Sequence, residues 1–261
     1  MKRLKFDYSM VISYDTAIEN CHYTIKCFPA ENERQRLEEL HISIRPRNSS
    51  GNGIDSFGNR YIYGTVLRPH DTFSFHTSGI VTVGMAESEA AANEGMMGAY
   101  RYPFGLTVPG DGLRYYFAGM DFSGRASDFD KAVYLMHRLY DDFSYVKGIT
   151  GVNTTAEEAW KLGKGVCQDY AHILTALCRM AGIPARYVAG MLIGEGFSHA
   201  WVEICTGGRW YALDPTNNCV VTDSHIKLGV GRDASDCMVN RGVLHGNARQ
   251  KQSVKVIVKE V

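Results

Sequence analysis

The chain has 261 residues, 45% of them hydrophobic and 21% charged, with Lys+Arg and Asp+Glu both at 28, so its formal net charge is zero. That is enough apolar material for one large domain or two small ones without disulfide staples, and a neutral chain argues against nucleic-acid binding or a polybasic membrane patch. No apolar run reaches transmembrane length, Met1-Lys2-Arg3-Leu4-Lys5-Phe6-Asp7 builds no signal-peptide core, and seven cysteines without a CxxC pair suit a reducing compartment; a cytoplasmic address is expected. In chain order, Cys21, Tyr23, Ile25 and Cys27 alternate with polar residues as in a half-buried strand, and Leu40, Ile42 and Ile44 repeat the pattern up to Pro46. Turn residues at 48–53 follow, then short strands are expected at 61–67, 72–76 and 79–83. Short strands between turn clusters predict a β-rich, sandwich-like N-terminal domain over residues 1–115. The Gly-, Pro- and aromatic-rich stretch 99–124 reads as a linker.

Helical spacing then takes over. Ala132, Leu135, Met136, Leu139, Tyr140 and Phe143 recur on one face, with Ser127 as N-cap. Thr155-Ala156-Glu157-Glu158 has capping-box spacing and opens a short helix ending near Gly163. The next helix runs from about Cys167 to Ala181, stopped by Gly182 and Pro184. Strands are expected at 185–193, 199–205 and 209–213, and a last one around 254–258. Residues 116–261 are thus expected to form an α+β core closed by that C-terminal strand.

The chemistry concentrates in three places: Gly165-Val166-Cys167-Gln168-Asp169-Tyr170-Ala171-His172, Ser198-His199-Ala200-Trp201 and Leu213-Asp214-Pro215-Thr216. Cys167 falls in the first turn of an apolar helix, where free N–H groups and the dipole favour a thiolate and can hold an oxyanion. His199 and Asp214 lie on strands joined near Thr206-Gly207-Gly208, a hairpin signal. If Thr206 and Gly207 form the turn, Cys205 pairs with Gly208 and His199 lies directly opposite Asp214; a shifted turn leaves the pair diagonal or adjacent. A nucleophile, a proton carrier and a group that sets the imidazole tautomer are the parts of an activated thiol. Around them, Gly165 leaves room for a substrate backbone, Gln168 offers an amide to the cleft, Asp169 suits capping or cleft polarity, and Trp201 suits either a cleft wall or core packing. His172, five residues after Cys167, points away from it and reads as a buried, hydrogen-bonded histidine. No P-loop, GxGxxG, HExxH or EF-hand pattern occurs, and no metal or other cofactor is expected.

These motifs, with Gly-Ile-Pro-Ala-Arg-Tyr-Val-Ala-Gly at 182–190 and Trp-Tyr-Ala-Leu-Asp-Pro-Thr-Asn at 210–217, resemble the transglutaminase-like superfamily, in particular its bacterial and archaeal cysteine-protease branch. The resemblance covers roughly residues 125–245, including Gly231-Arg232-Asp233 and Arg241-Gly242-Val243, and extends more weakly to the β-rich N-terminal region. It implies a papain-like core, with a nucleophile helix packed on an antiparallel sheet, and Cys167, His199 and Asp214 as nucleophile, acid/base and orienting residue. Gln168 stands where animal transglutaminases carry Trp, and their calcium-loop context is missing, which weighs against protein crosslinking. Residues 236–240 depart from the usual proline-containing form at one cleft edge.

The leading expectation is a thiol hydrolase acting on an amide or peptide substrate through a thioester. An acyl transferase using an amine acceptor and a catalytically idle interaction module are the alternatives.

Overall fold

The computed structural model describes residues 1–91 and 94–261. Five strands come first: β1 (Lys2–Ile25), β2 (Gln35–Arg45), β3 (Ser49–Ile54), β4 (Arg60–Val66) and β5 (His70–Val83), followed by the two-residue β6 (Glu89–Ala90). Helices α1 (Met97–Arg101), α2 (Asp111–Ala118) and α3 (Asp128–Asp142) precede β7 (Ser144–Tyr145), α4 (Ala156–Leu162), β8 (Lys164–Gly165) and α5 (Cys167–Met180). The chain closes with β9 (Ala185–Leu192), β10 (Gly194–Gly196), β11 (His199–Thr206), β12 (Arg209–Asp214), β13 (Cys219–Val220), β14 (His225–Gly231), β15 (Asn240–His245) and β16 (Gln250–Glu260).

The N-terminal sheet is organised on β1. Leu4, Phe6, Tyr8, Met10, Ile12 and Tyr14 alternate with outward residues and are buried, so one face of the strand supplies six core side chains, each worth about 1.5–3 kcal/mol for its aliphatic and aromatic burial. One edge of β1 pairs with β4 and then β5, the other with β15 and then β16, and all four are antiparallel to it. A bulge between Glu19 and His22 bends the strand, with Asn20 in the left-handed region at φ 50°. The C-terminal strand expected to close the α+β core therefore belongs to this sheet: Leu4 pairs with Glu260 and Tyr14 with Gln250.

The second sheet runs β13-β12-β11-β9-β14, with β6 added at β12. Helix α5 packs on it through β11 and β9, and α3 and α4 pack in turn on α5. Every residue from Asp169 to Arg179 is buried, which is the signature of a central helix. The expected caps form: Ser127 accepts from the Asp130 N–H, Thr155 and Glu158 cap each other's backbone, and Gly163 and Gly182 end α4 and α5 at φ 64° and 77°. On the side of the sheet away from α5, Arg186 faces Glu203 directly across strands at 2.8 Å, and Lys227 reaches the same carboxylate at 3.0 Å.

Residues 99–124 are not a linker. They hold α1 and α2, and Leu113 and Tyr100 are buried against the core. The start of α2 is capped from a distance: the Glu157 carboxylate accepts from the N–H groups of Gly110, Gly112 and Leu113 at 2.9–3.0 Å. Arg179, near the α5 C-terminus, ties the same region down by donating to the carbonyls of Tyr100, Ala185 and Arg232 and to the Thr107 hydroxyl.

Candidate active site

Cys167 is the first residue of α5 and is half-buried. Cys21, Cys27, Cys178, Cys205 and Cys237 are buried, and burial pushes their thiols up, that of Cys178 to about 12. Asp169 holds the helix start together. Its Oδ2 accepts from the Val166 N–H and the Thr150 hydroxyl, both at 2.7 Å, and burial pushes its pKa up against those bonds. The space beside Gly165 goes to this carboxylate and not to a substrate backbone: a Cβ there would lie 2.4 Å from Asp169 Oδ2. Gln168 borders the cleft, but its amide donates to the carbonyls of Val152 at 3.2 Å and Gly151 at 3.4 Å, anchoring the loop before α4.

His199 begins β11 and Asp214 ends β12. The hairpin turn is Gly207-Gly208, with φ 58° and 73°, so Cys205 pairs with Trp210 and Val202 with Leu213. His199 and Asp214 are therefore diagonal on one face, not directly opposed. A diagonal pair is ~7–8 Å apart at its backbone, a gap that these two side chains close. His199 Nε2 lies 2.7 Å from Asp214 Oδ2, with the imidazole 10% exposed and the carboxylate fully buried. Burial would lower the His199 pKa; the Asp214 hydrogen bond and the neighbouring Cys167 thiol overcome it and hold the imidazole up at about 9. Burial likewise works against the Asp214 charge, and hydrogen bonds from His199 and His225 override it and drive its pKa well below the usual carboxylate range. Since Nε2 is committed to Asp214, Nδ1 is the nitrogen left for Cys167.

A model of the transglutaminase-like superfamily matches residues 119–215, and one of the bacterial transglutaminase-like N-terminal region matches residues 4–82. A protein of Mycobacterium bovis is 31% identical over 253 residues, with 84% of this chain and 80% of that one aligned. The chain belongs to the transglutaminase-like superfamily. A Mycobacterium leprae protein is 40% identical over 122 residues, where the match spans 43% of each chain. Both mycobacterial relatives are described only as uncharacterised. The fold matches a crystal structure described as a candidate cysteine protease from Cytophaga hutchinsonii, with a TM-score of 0.80 at 22% identity over 100% of this chain and 92% of that one.

In this transglutaminase-like chain, Cys167 and His199 open into a cleft of about 730 Å³ between the two sheets. Its far wall is the face of the N-terminal sheet, with Tyr8, Ile12 and Tyr14 of β1 and Gln250, Gln252 and Val254 of β16. Met238, Val239 and Asn240, in the stretch that departs from the family pattern, line one edge. Just before them, Asp233 is fully buried and accepts from the N–H groups of Leu106 and Ser235, while His172 accepts from the Ala234 N–H at 3.1 Å. Burial, with the nearby Arg179 charge, keeps His172 neutral, its pKa lowered to about 4. Trp201 is not a cleft wall. It is buried beneath His199, with ring centroids 6.2 Å apart at 30°.

His225 has no counterpart in the sequence reading. Its Nε2 lies 2.9 Å from Asp214 Oδ2, the same oxygen that His199 uses. The donor atoms of His199, Asp214 and His225 fall within 4.8 Å of one another, a set that can in principle hold a cation. Their separations are those of hydrogen bonds, and Oδ2 accepts from a third group, Asn217 Nδ2 at 2.7 Å, so the cluster is built as a hydrogen-bonded hub. Among the described residues, no helix is long and apolar enough to cross a membrane.

Proposed function

We propose that this chain is a cysteine-dependent hydrolase that cleaves an amide or peptide bond through a thioester. The observation that carries the reading is a hydrogen-bonded pair of half-buried His199 and buried Asp214 beside the Cys167 thiol, where His199 and Cys167 line a large cleft. Cys167 Sγ passes its proton to His199 and attacks the scissile carbonyl carbon, and the C=O π pair moves to oxygen. The N–H groups of Cys167 and Gln168 at the α5 start have no intrahelical partner and suit that oxyanion. Collapse breaks the C–N bond, the leaving nitrogen takes a proton from the His199 imidazolium, and an acyl thioester remains. Water then gives a proton to neutral His199 and adds to the thioester. Collapse releases the carboxylic acid and restores the thiol. Asp214 fixes the tautomer and supports the imidazolium throughout.

The cleft favours water over a lysine amine as the second acceptor. Among the described residues that line it, the charged ones besides the catalytic groups are Lys147 and Arg241, and no carboxylate offers a counter-ion to an ammonium. Its exposed apolar rim residues, Phe197 at 64% and Val152 at 64%, suit an uncharged peptide with a bulky side chain near the scissile bond.

The test is incubation with a panel of peptide p-nitroanilides, with and without a primary amine, using the native chain and Cys167→Ala. Free peptide acid released without amine, and lost in Cys167→Ala, is the expected result. Product that forms only with amine, as the amine adduct, would replace hydrolysis by transfer. Equal turnover by Cys167→Ala would remove the nucleophile assignment altogether.

A further inference from the structure

We propose that His225 is a positioning residue for the active site, holding Asp214 so that its Oδ2 stays aimed at His199; this rests on the Cys167–His199–Asp214 reading above. His225 starts β14, two strands from β11 in the sheet, and is brought to the same sheet end by the 215–224 connection. It is 6% exposed and does not border the cleft, so it meets no substrate.

Its tautomer follows from its neighbours. An ionised carboxylate only accepts hydrogen bonds, so both imidazoles must present an Nε2–H to Asp214 Oδ2, at 2.7 Å from His199 and 2.9 Å from His225. Neutral His225 then has an unprotonated Nδ1, which accepts from the Ser224 hydroxyl at 2.9 Å. A second positive charge here is unfavourable. The two imidazole rings lie 5.6 Å apart around a single carboxylate, and Arg34 adds a further cation nearby. Burial, His199 and Arg34 all press His225 toward the neutral form, with only Asp214 opposing. The pair is therefore unequal: His199 carries the proton, and His225 stays a fixed neutral donor.

The other Asp214 oxygen is already held by backbone. Oδ1 accepts from the N–H groups of Thr216 and Asn217 at 3.0 and 3.2 Å. Those bonds fix one end of the carboxylate, and His225 and Asn217 Nδ2 fix the other. The Trp201 ring stands edge-on to His225 at 5.1 Å and 75°, and stacks at 30° with His199, so one indole sets the tilt of both imidazoles. Removing the His225 donor leaves Oδ2 held by His199 and Asn217 Nδ2 alone and redistributes its charge toward His199.

The experiment compares His225→Gln, His225→Asn and His225→Leu. A Gln amide places its Nε2 donor near the position of the ring Nε2; an Asn amide is too short to reach. The expected result is that Gln keeps peptide hydrolysis within about 3-fold, while Asn and Leu lower kcat by about 10- to 100-fold with KM little changed, the scale of outer hydrogen-bond partners at other imidazole sites. Rates are expressed per reactive Cys167, counted by labelled iodoacetamide, so a variant that is partly unfolded is not read as a slow one. In parallel, the His199 titration is followed by NMR with no substrate present. Its midpoint is expected to move in the Asn and Leu variants and to stay near the native value in Gln. Folded Asn and Leu variants with native kcat and an unmoved His199 midpoint would overturn the proposal. The NMR arm separates this from failure of the hydrolase reading, because it detects the His225–Asp214–His199 coupling whether or not a substrate is turned over.

Discussion

Asp214→Asn is the most direct probe of the site. The substitution keeps the shape of the side chain and lets the amide oxygen retain the backbone bonds from Thr216 and Asn217. It places an NH₂ group where Oδ2 now accepts from His199, His225 and Asn217 Nδ2, so donors face donors. His199 then loses its largest support, and the Cys167 thiol alone is left to oppose the burial that lowers its pKa. The gap between the ordinary 6.5 and about 9 corresponds to about 3 kcal/mol, a roughly 300-fold preference for the imidazolium. The sign follows from linkage. A raised histidine pKa contributes stability that is fully present below pH 6.5 and is lost as pH rises through about 9. The His199 part of the lowered Asp214 pKa describes the same ion pair from the other side and is not counted again; the rest comes from His225. The His199 midpoint in Asp214→Asn should fall well below 9 by NMR, and hydrolysis should drop by about 10⁴-fold, as in other triads that lose their carboxylate. The stability difference between native and variant chains, from urea unfolding, should be largest below pH 6.5 and shrink by pH 9. A His199 midpoint that stays near 9 in the variant would refute the assignment of Asp214 as its partner.

Further outcomes follow from individual contacts. Cys167→Ala should abolish hydrolysis while leaving thermal stability within about 1 kcal/mol, since the side chain is only half-buried; a large loss in the melt would mean that the thiol is structural. Gly165→Ala pushes a Cβ to 2.4 Å from Asp169 Oδ2 and should cost about 1–3 kcal/mol in urea unfolding, with slower alkylation of Cys167 as the helix start shifts. Arg179→Leu strands the carbonyls of Tyr100, Ala185 and Arg232 and the Thr107 hydroxyl, and should destabilise by about 3–5 kcal/mol; a native-like melting profile would show that these groups are satisfied otherwise.

The helix that carries Cys167 was legible because its signals are local: a start after two glycines, a continuous apolar body, and Gly182 with Pro184 at the end. The His199–Asp214 pairing was legible because a hairpin turns two short sequences into neighbours. Its register was left between two turns, and turn chemistry decides for the shifted one. A two-residue hairpin turn with φ > 0 at both positions takes Gly207-Gly208 readily and resists the β-branched Thr206. Most of what escaped was remote in sequence. Helix α2 in residues 99–124 takes its cap from Glu157, some 45 positions on, so no local pattern marks its start. Residues 4–14 carry a clean alternation, with Leu4, Phe6, Tyr8, Met10, Ile12 and Tyr14 inward and Lys5, Asp7 and Ser9 outward, so the strand itself was legible and missed; only its partners at 70–83 and 250–260 are remote. His225 lies eleven residues after Asp214, and only the crossover to β14 brings it back.

The way β1 is bracketed also sets a timetable for assembly. Residues near the start of the chain complete their hydrogen bonds with residues near 260, the longest sequence separation available, and such pairings are paid for in loop entropy before they return any energy. During synthesis the nucleophile helix and the His199–Asp214 hairpin emerge well before β15 and β16, yet the wall that faces them includes Gln250, Gln252 and Val254. The Cys167 cleft thus lacks one wall until residues near 250 have docked on β1.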